Sequence, residues 1–358
     1  MRVLFANLAT DFGGGEGWTL RSAQGLRNRG HDVFIAARTG SPFARRAENS
    51  ELPCFVLPVG IDYHPSTVST FVRIMKRERI EVVVVHHNKD VRTAGVAAWV
   101  LQKPVVHRNG YPILKNTLRH RLTMGFVTRI LTNSENIREY YRSFGWLKAP
   151  IDLVYNGVQP PETTPETTLR SLIPGVDAHA LIALYSGRLT TVKQVDILLR
   201  GLSLMEKESP WQLAILGTGS QEQSLKGLAA ELELEQRVHF LGFREDAANL
   251  AGSADLVVLA SRDEGMPNAL MEAMVRGIPV ASTPVGDVPE LLAHGQAGWI
   301  IEPNKPESWF SLMQRLEKHP EEASKMGKAG KKHIRECFTT DAMLDGIEAS
   351  LKHALSSS

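Results

Sequence analysis

A chain of 358 residues with an apolar fraction of 43%, a charged fraction of 22% and a net charge of +2 has the balance of a soluble globular protein, not of a disordered or membrane-embedded one. It is too long for one ordinary domain of about 100–200 residues, and it lacks the run of roughly 18 apolar residues that a spanning helix needs. Its two cysteines, Cys54 and Cys337, are far apart and lack metal-type spacing, which predicts buried reduced thiols with no disulfide, zinc site or nucleophilic role.

The opening Met1-Arg2-Val3-Leu4-Phe5 reads directly into a strand instead of a signal peptide, so the expected compartment is the cytoplasm. Val3–Ala6 and Val33–Ala36 read as strands, with a helix over Trp18–Arg29 that stops at Gly30, a βαβ beginning. Between strand and helix lies Phe12-Gly13-Gly14-Gly15-Glu16-Gly17-Trp18, whose glycines let backbone N–H groups approach a ligand. A dinucleotide fingerprint is excluded there, because Gly13 and Gly15 would require a small residue where Trp18 stands. The second strand also runs into Ala36-Ala37-Arg38-Thr39, without the acidic residue that would hold a ribose.

Unbroken apolar runs follow at Cys54–Leu57, Val82–Val85, Val105–His107 and Ile130–Thr132, the pattern of a parallel sheet covered on both faces. His86 and His87 sit at the carboxyl end of one of these strands, where partly buried structural histidines and cleft-facing catalytic ones are both compatible with the sequence. The polar, Pro/Thr-rich stretch Gln159–Thr168 reads as a linker between a first domain over 1–156 and a second over 157–339. The second domain repeats the alternation, with strands at Leu181–Ser186, Gln212–Leu216, Val238–Leu241, Leu256–Ala260, Val280–Ser282 and Gly298–Ile301. Met343, Ile347 and Leu351 recur every fourth residue and predict an amphipathic helix over 340–354 that packs back on one of the domains.

Charge divides unevenly along the chain. Residues 1–150 hold 22 Lys and Arg against 11 Asp and Glu, whereas 151–358 hold 19 against 28. A basic first domain attracts phosphates or anionic lipid headgroups. Arg73, Lys76, Arg77 and Arg79, then Lys115, Arg119, His120, Arg121 and Arg129 beside Leu118, Leu122, Met124 and Phe126, read either as a solvated face or as an amphipathic surface for an anionic membrane.

The sharpest signal is Ser261-Arg262-Asp263-Glu264-Gly265-Met266-Pro267-Asn268-Ala269-Leu270-Met271-Glu272, immediately after an apolar strand. Gly265 and Pro267 make a tight loop, Asn268 reads as the N-cap of a helix over 269–276, and Glu264 falls at a strand's carboxyl end. Carboxylates in such a crevice suit sugar and ribose hydroxyls, and the helix N-terminus suits a phosphate. Ser186-Gly187-Arg188-Leu189 with Lys193 offers two cations, and Leu216-Gly217-Thr218-Gly219 a strand-to-helix turn.

This constellation resembles glycosyltransferase family four, the large retaining family with the GT-B fold of two Rossmann-like domains facing each other across a cleft. Glu264 and Glu272, with seven residues between them, match the family's paired glutamates. The resemblance implies that Glu264 lies by the donor sugar and Glu272 holds the nucleotide ribose. It further implies that the backbone of Gly265, Met266, Pro267 and Asn268 holds sugar hydroxyls and phosphate, that Arg188 and Lys193 clamp the diphosphate, and that Gly217, Gly14 and Gly15 line the donor. The segment Pro104-Val105-Val106-His107-Arg108-Asn109-Gly110 departs from the family's N-domain histidine motif, so that either His107 or Asn109 fills the catalytic position.

The function implied is configuration-retaining, metal-independent and cofactor-free transfer from a nucleoside-diphosphate sugar, a UDP-sugar in the first instance. The expected acceptor is a hydroxyl of a cell-envelope glycolipid, lipopolysaccharide or polysaccharide precursor, without nucleic acid as a partner. A nucleotide-sugar epimerase, a phosphorylase and a non-catalytic nucleotide-sugar-binding subunit share the architecture.

Overall fold

The computed structural model describes residues 1–159 and 167–356, so most of the expected linker, residues 160–166, lies outside the described residues. The chain divides into two compact units, Met1–Gly157 with Thr340–Ser358, and Val158–Thr339.

In the first unit seven strands, β1 (Arg2–Asn7), β2 (Asp32–Arg38), β3 (Cys54–Leu57), β4 (Val82–Val85), β5 (Val105–Asn109), β6 (Arg129–Thr132) and β7 (Ile151–Leu153), form one parallel sheet in the order β3-β2-β1-β4-β5-β6-β7. Successive residues of a strand point to opposite faces. Val3, Phe5, Val82 and Val84 therefore join one core, whereas Leu4, Ala6, Val83 and Val85 join the other. Both faces are covered by apolar side chains, which is why these strands read as continuous apolar runs instead of alternating ones.

The tail helix Thr340–Ser356 closes one face of this sheet. Met343, Leu344, Ile347, Leu351 and Ala354 all enter the same core as Val3 and Phe5. Burying the four larger of these contributes about 1.5–3 kcal/mol each relative to exposure. Approach is close enough that a Cβ on Gly25 would lie 2.6 Å from the Leu344 side chain and would force that side chain to shift. At the rim, Arg29 donates to Asp341 and Asp345 of the tail helix at 2.9 and 2.6 Å and lies 3.3 Å from Glu348.

The second unit has six strands, β8 (Leu181–Ser186), β9 (Trp211–Leu216), β10 (Val238–Gly242), β11 (Leu256–Leu259), β12 (Val280–Ser282) and β13 (Trp299–Ile300), again all parallel, in the order β10-β9-β8-β11-β12-β13. The two sheets make this an α/β chain with two Rossmann-like units.

Local details differ from the sequence expectation. The first helix starts at Gly14, not Trp18, because the Glu16 carboxylate folds back to accept the Gly13 N–H at 3.0 Å and stabilises a glycine-rich first turn. Asn268 is the first residue of the helix Asn268–Arg276, and the cap position belongs to Pro267, whose fixed φ of −76° suits the entry to a helix. Both cysteines are free, as expected, but Cys54 is only half-buried and Cys337 is exposed, since it ends the helix Pro320–Cys337 on its solvent side.

Candidate functional site

In a parallel sheet, ligands collect where two neighbouring strands send their following loops in opposite directions, because the loops diverge and leave a crevice at the carboxyl ends. Each unit has one such place: between β8 and β11 in the second, and between β1 and β4 in the first.

In the second unit the loop after β8 carries Arg188 and Lys193, and the loop after β11 carries Glu264. The Lys193 ammonium pairs directly with Glu264 Oε1, which also accepts from Ser261 Oγ at 2.9 Å. Both side chains are largely but not wholly buried, so the pair stays open to a ligand. Arg188 is exposed on the same loop as Lys193, and its carbonyl accepts from the Tyr185 hydroxyl at 2.9 Å. Burial, then the negative field of Glu264, raise the Tyr185 phenol above its ordinary range and keep it a neutral donor. Glu272 stands half-buried in the helix that follows the Glu264 loop.

Backbone packing fixes these loops. The Arg262 N–H donates to the Val192 carbonyl at 2.8 Å, which joins the lysine loop to the glutamate loop. Gly265, Met266 and Pro267 are buried, Asn268 is half-buried, and the Gly265 carbonyl accepts from the Asp287 N–H at 3.1 Å. Gly217, at φ +140°, lies against the first loop: a Cβ there would come within 1.9 Å of the Gly187 carbonyl oxygen. The glycine is required by close approach of two strand-to-helix turns.

In the first unit Gly14 and Gly15 open the helix Gly14–Asn28, and a Cβ on Gly15 would strike His86 Nε2 at 2.2 Å. Beside them sits a polar network that the sequence did not disclose. Glu16 Oε1 lies 3.2 Å from His87 Nε2 and accepts from Asn7 Nδ2 at 3.3 Å. Buried Asp90 accepts from the backbone N–H groups of Leu8, His86 and His87 at 3.1, 3.2 and 2.7 Å, tying the end of β1 to the end of β4. Burial nonetheless pushes the Asp90 carboxyl up to about 6.

The histidines differ in state. Burial alone would lower His87, but the hydrogen bond to Glu16 and the fields of Asp90 and Glu16 outweigh it and raise its pKa, while its side chain stays 43% exposed. His86 is driven well below the ordinary value by burial and by the fields of Arg108, His87 and His107. His107 is 0% exposed, and burial, then the His87 field, lower it to about 4 against the raising effect of a hydrogen bond to the His86 backbone. Asn109 is buried as well, at the end of β5, with its side chain on the Tyr141 hydroxyl. His87 is therefore open to solvent with a raised pKa, whereas His107 is sealed.

Glu16, His86 and His87 place possible ligand atoms within 4.8 Å of one another. Two features disfavour a cation: the Glu16 carboxylate is already engaged by Asn7, Gly13 and His87, and the Arg108 guanidinium, 4.8 Å above the Trp18 ring, bears on both imidazoles.

The basic, apolar stretch of this unit divides. Leu118 and Leu122 of the helix Leu118–Met124 are 72% and 59% exposed, while Met124 is buried and Phe126 packs against the core. Arg119 is held by Asp62, which also receives Arg92, and Arg129 is consumed by Asp152 at 2.8 Å, so Arg129 is no part of a free cationic face.

Comparison with known proteins supplies the context. The family described as Glycosyltransferase Family 4 matches residues 12–161, and that described as Glycosyl transferases group 1 matches residues 173–333. The chain is similar to N-acetyl-alpha-D-glucosaminyl L-malate synthase of Bacillus anthracis, at 27% identity over 49% of this chain and 46% of that protein. It is similar also to D-inositol 3-phosphate glycosyltransferase of Saccharomonospora viridis, at 28% identity over 48% of this chain and 43% of that protein. The match thus spans a little under half the length of these curated relatives. Among solved structures, Anabaena HepE in complex with UDP superposes with a TM-score of 0.84 at 20% identity, covering 99% of this chain and 100% of HepE.

Proposed function

Because this chain belongs to glycosyltransferase family four, with the two Rossmann-like units of the GT-B fold, we propose that it transfers a sugar from a nucleoside-diphosphate sugar to an acceptor hydroxyl. The observation that carries this reading is the Lys193–Glu264 pair at the carboxyl ends of β8 and β11, the place where an α/β sheet receives a ligand. A departing nucleoside diphosphate develops negative charge, and Lys193 with Arg188 on one loop neutralises it without a metal. Glu264 then accepts from donor-sugar hydroxyls, and Glu272, in the helix that starts at the same loop, accepts from the ribose. Gly265 to Asn268 and Gly217 supply backbone groups to the donor. UDP is the nucleotide we favour, since a fold relative binds it.

Transfer is read as retaining, with the leaving phosphate taking the acceptor proton on the face from which it departs. On the acceptor side His87, oriented by Glu16, is the exposed imidazole, and it takes the place in this reading first considered for His107 or Asn109. The acceptor is read as a cell-envelope glycolipid or saccharide precursor. Support for a lipid-linked acceptor comes from Leu118 and Leu122 projecting beside Arg119 and Arg121, a surface suited to an anionic bilayer.

Thermal shift against UDP-, GDP- and ADP-sugars tests the donor. A ligand at 100 times its Kd stabilises a protein by about 2.7 kcal/mol, and the UDP-sugar is expected to give the largest shift. Identical midpoints with every nucleotide sugar would remove the donor assignment.

A further inference from the structure

Gln194 follows Lys193 and occupies the N-cap position of the helix Val195–Ser203 in a left-handed conformation, φ 49° and ψ 42°. A residue with a Cβ pays for this conformation where glycine does not, and such strain concentrates where the surroundings over-determine it. The surroundings here are specific. Gln194 is 3% exposed, and with its amide oriented by the hydrogen-bond network the oxygen accepts from Arg262 Nε and Nη2 at 3.0 and 3.3 Å. The amide nitrogen donates to the Ala260 carbonyl at 3.3 Å, and with the Asn304 amide turned likewise the Gln194 oxygen also accepts from it at 2.7 Å. One side chain thus fastens the lysine loop to the end of β11, to the first residues of the glutamate loop and to the segment after β13.

We propose that Gln194 is a positioning residue that aims Lys193 at the diphosphate, an inference that rests on the donor reading above. Backbone ties alone do not fix this aim. The Arg262–Val192 hydrogen bond sets the separation of the two loops, but the direction of the chain at Lys193 depends on the next residue, whose left-handed turn reverses it into the helix. A glycine at this position would adopt the same φ and ψ without strain and would also leave them free to vary. The buried amide therefore exchanges conformational ease for a single orientation of Lys193.

The test compares native protein, Gln194→Gly, Gln194→Asn and Lys193→Ala by calorimetric titration with UDP and with uridine, each variant first checked by thermal unfolding. Gln194→Gly is expected to weaken UDP about 10-fold, to within a few-fold of Lys193→Ala, and to leave uridine binding unchanged, because only the diphosphate contact depends on the lysine. Gln194→Asn, which tolerates the left-handed turn but is one methylene too short to span both partners, falls between native and Gln194→Gly. The double variant Gln194→Gly with Lys193→Ala is expected to bind UDP no more weakly than Lys193→Ala alone. Native UDP affinity in folded Gln194→Gly and Gln194→Asn, with Lys193→Ala impaired, overturns the positioning role and leaves the donor reading intact. Equal loss of uridine and UDP in Gln194→Gly overturns it too, since that is the mark of a collapsed site. Native affinity in Lys193→Ala, or a native chain that ignores UDP, overturns the donor reading and this inference with it.

Discussion

Lys193 and Glu264, 71 residues apart in the chain, meet as an ion pair because parallel pairing of β8 with β11 brings their following loops to the same end of the second sheet. Neither loop has a reason of its own to find the other. The sheet supplies it, and Ser261 then fixes the carboxylate from within its own turn.

Breaking that pair leaves one charge without its partner in a largely enclosed place, a situation that costs more than the pair itself contributes. Lys193→Ala and Glu264→Gln are each expected to lower turnover of the donor by on the order of 10-fold or more, the scale of a charge-assisted hydrogen bond. A double-mutant cycle on donor hydrolysis measures the coupling. Strict additivity of the two substitutions would show that the residues act independently.

Arg188→Ala and Glu272→Ala probe the other two charged residues assigned to the donor. Loss of about 10-fold in donor affinity is expected from either, with Glu272→Ala alone also blunting the preference for a ribonucleotide over its 2′-deoxy analogue. Titration with UDP and 2′-deoxy-UDP separates the two effects.

His107 gives stability a pH dependence whose sign follows from its environment. Burial holds its folded pKa at about 4, below the ordinary 6.5, so the neutral form is the stable one in the fold. Acidification from 6.5 through 4 therefore costs stability progressively, by an amount on the order of 3 kcal/mol in full. His87 works in the opposite direction, since its raised pKa favours the folded state in acid and loses that contribution as pH rises through the folded value. Urea unfolding between pH 4 and 7 should show His107→Leu with a flatter acid limb than the native protein. Parallel curves for the two would exclude His107 as the source.

Leu351 is wholly buried in the core that the tail helix shares with β1 and β4. Its replacement by alanine is expected to cost about 2–5 kcal/mol by lost burial and the cavity left behind. Hydrogen exchange localises the effect: faster exchange in the first unit, with the second unit unaltered, is the expected pattern. Arg29→Ala removes only rim contacts and should cost about 1 kcal/mol or less.

If the acceptor reading holds, the native chain is expected to co-sediment with vesicles containing anionic phospholipid, and Leu118→Glu with Leu122→Glu to lose that binding with an unfolding free energy within about 0.5 kcal/mol of native, as both side chains project into solvent. Vesicle binding that persists in this variant would place the membrane surface elsewhere.

The sequence by itself determined the elements and their class. Unbroken runs such as Val82–Val85 declared strands covered on both faces, Glu264 and Glu272 declared their spacing, and Gly217 announced a turn, because each of these depends on residues within a few positions. Even the tail helix was visible in the four-residue spacing of Met343, Ile347 and Leu351, though not the core it enters. Tertiary structure decided what met what. Asp90 reaches back to Leu8, Glu16 turns to His87, Arg129 is taken up by Asp152, and Gln194 is locked in a left-handed turn by Arg262 and Ala260. It also decided which imidazole is open, burying His107 and leaving His87 at the surface. Periodicity is a property of neighbours along the chain, whereas burial, pairing and the shift of a pKa are set by groups that only folding brings within a few ångströms.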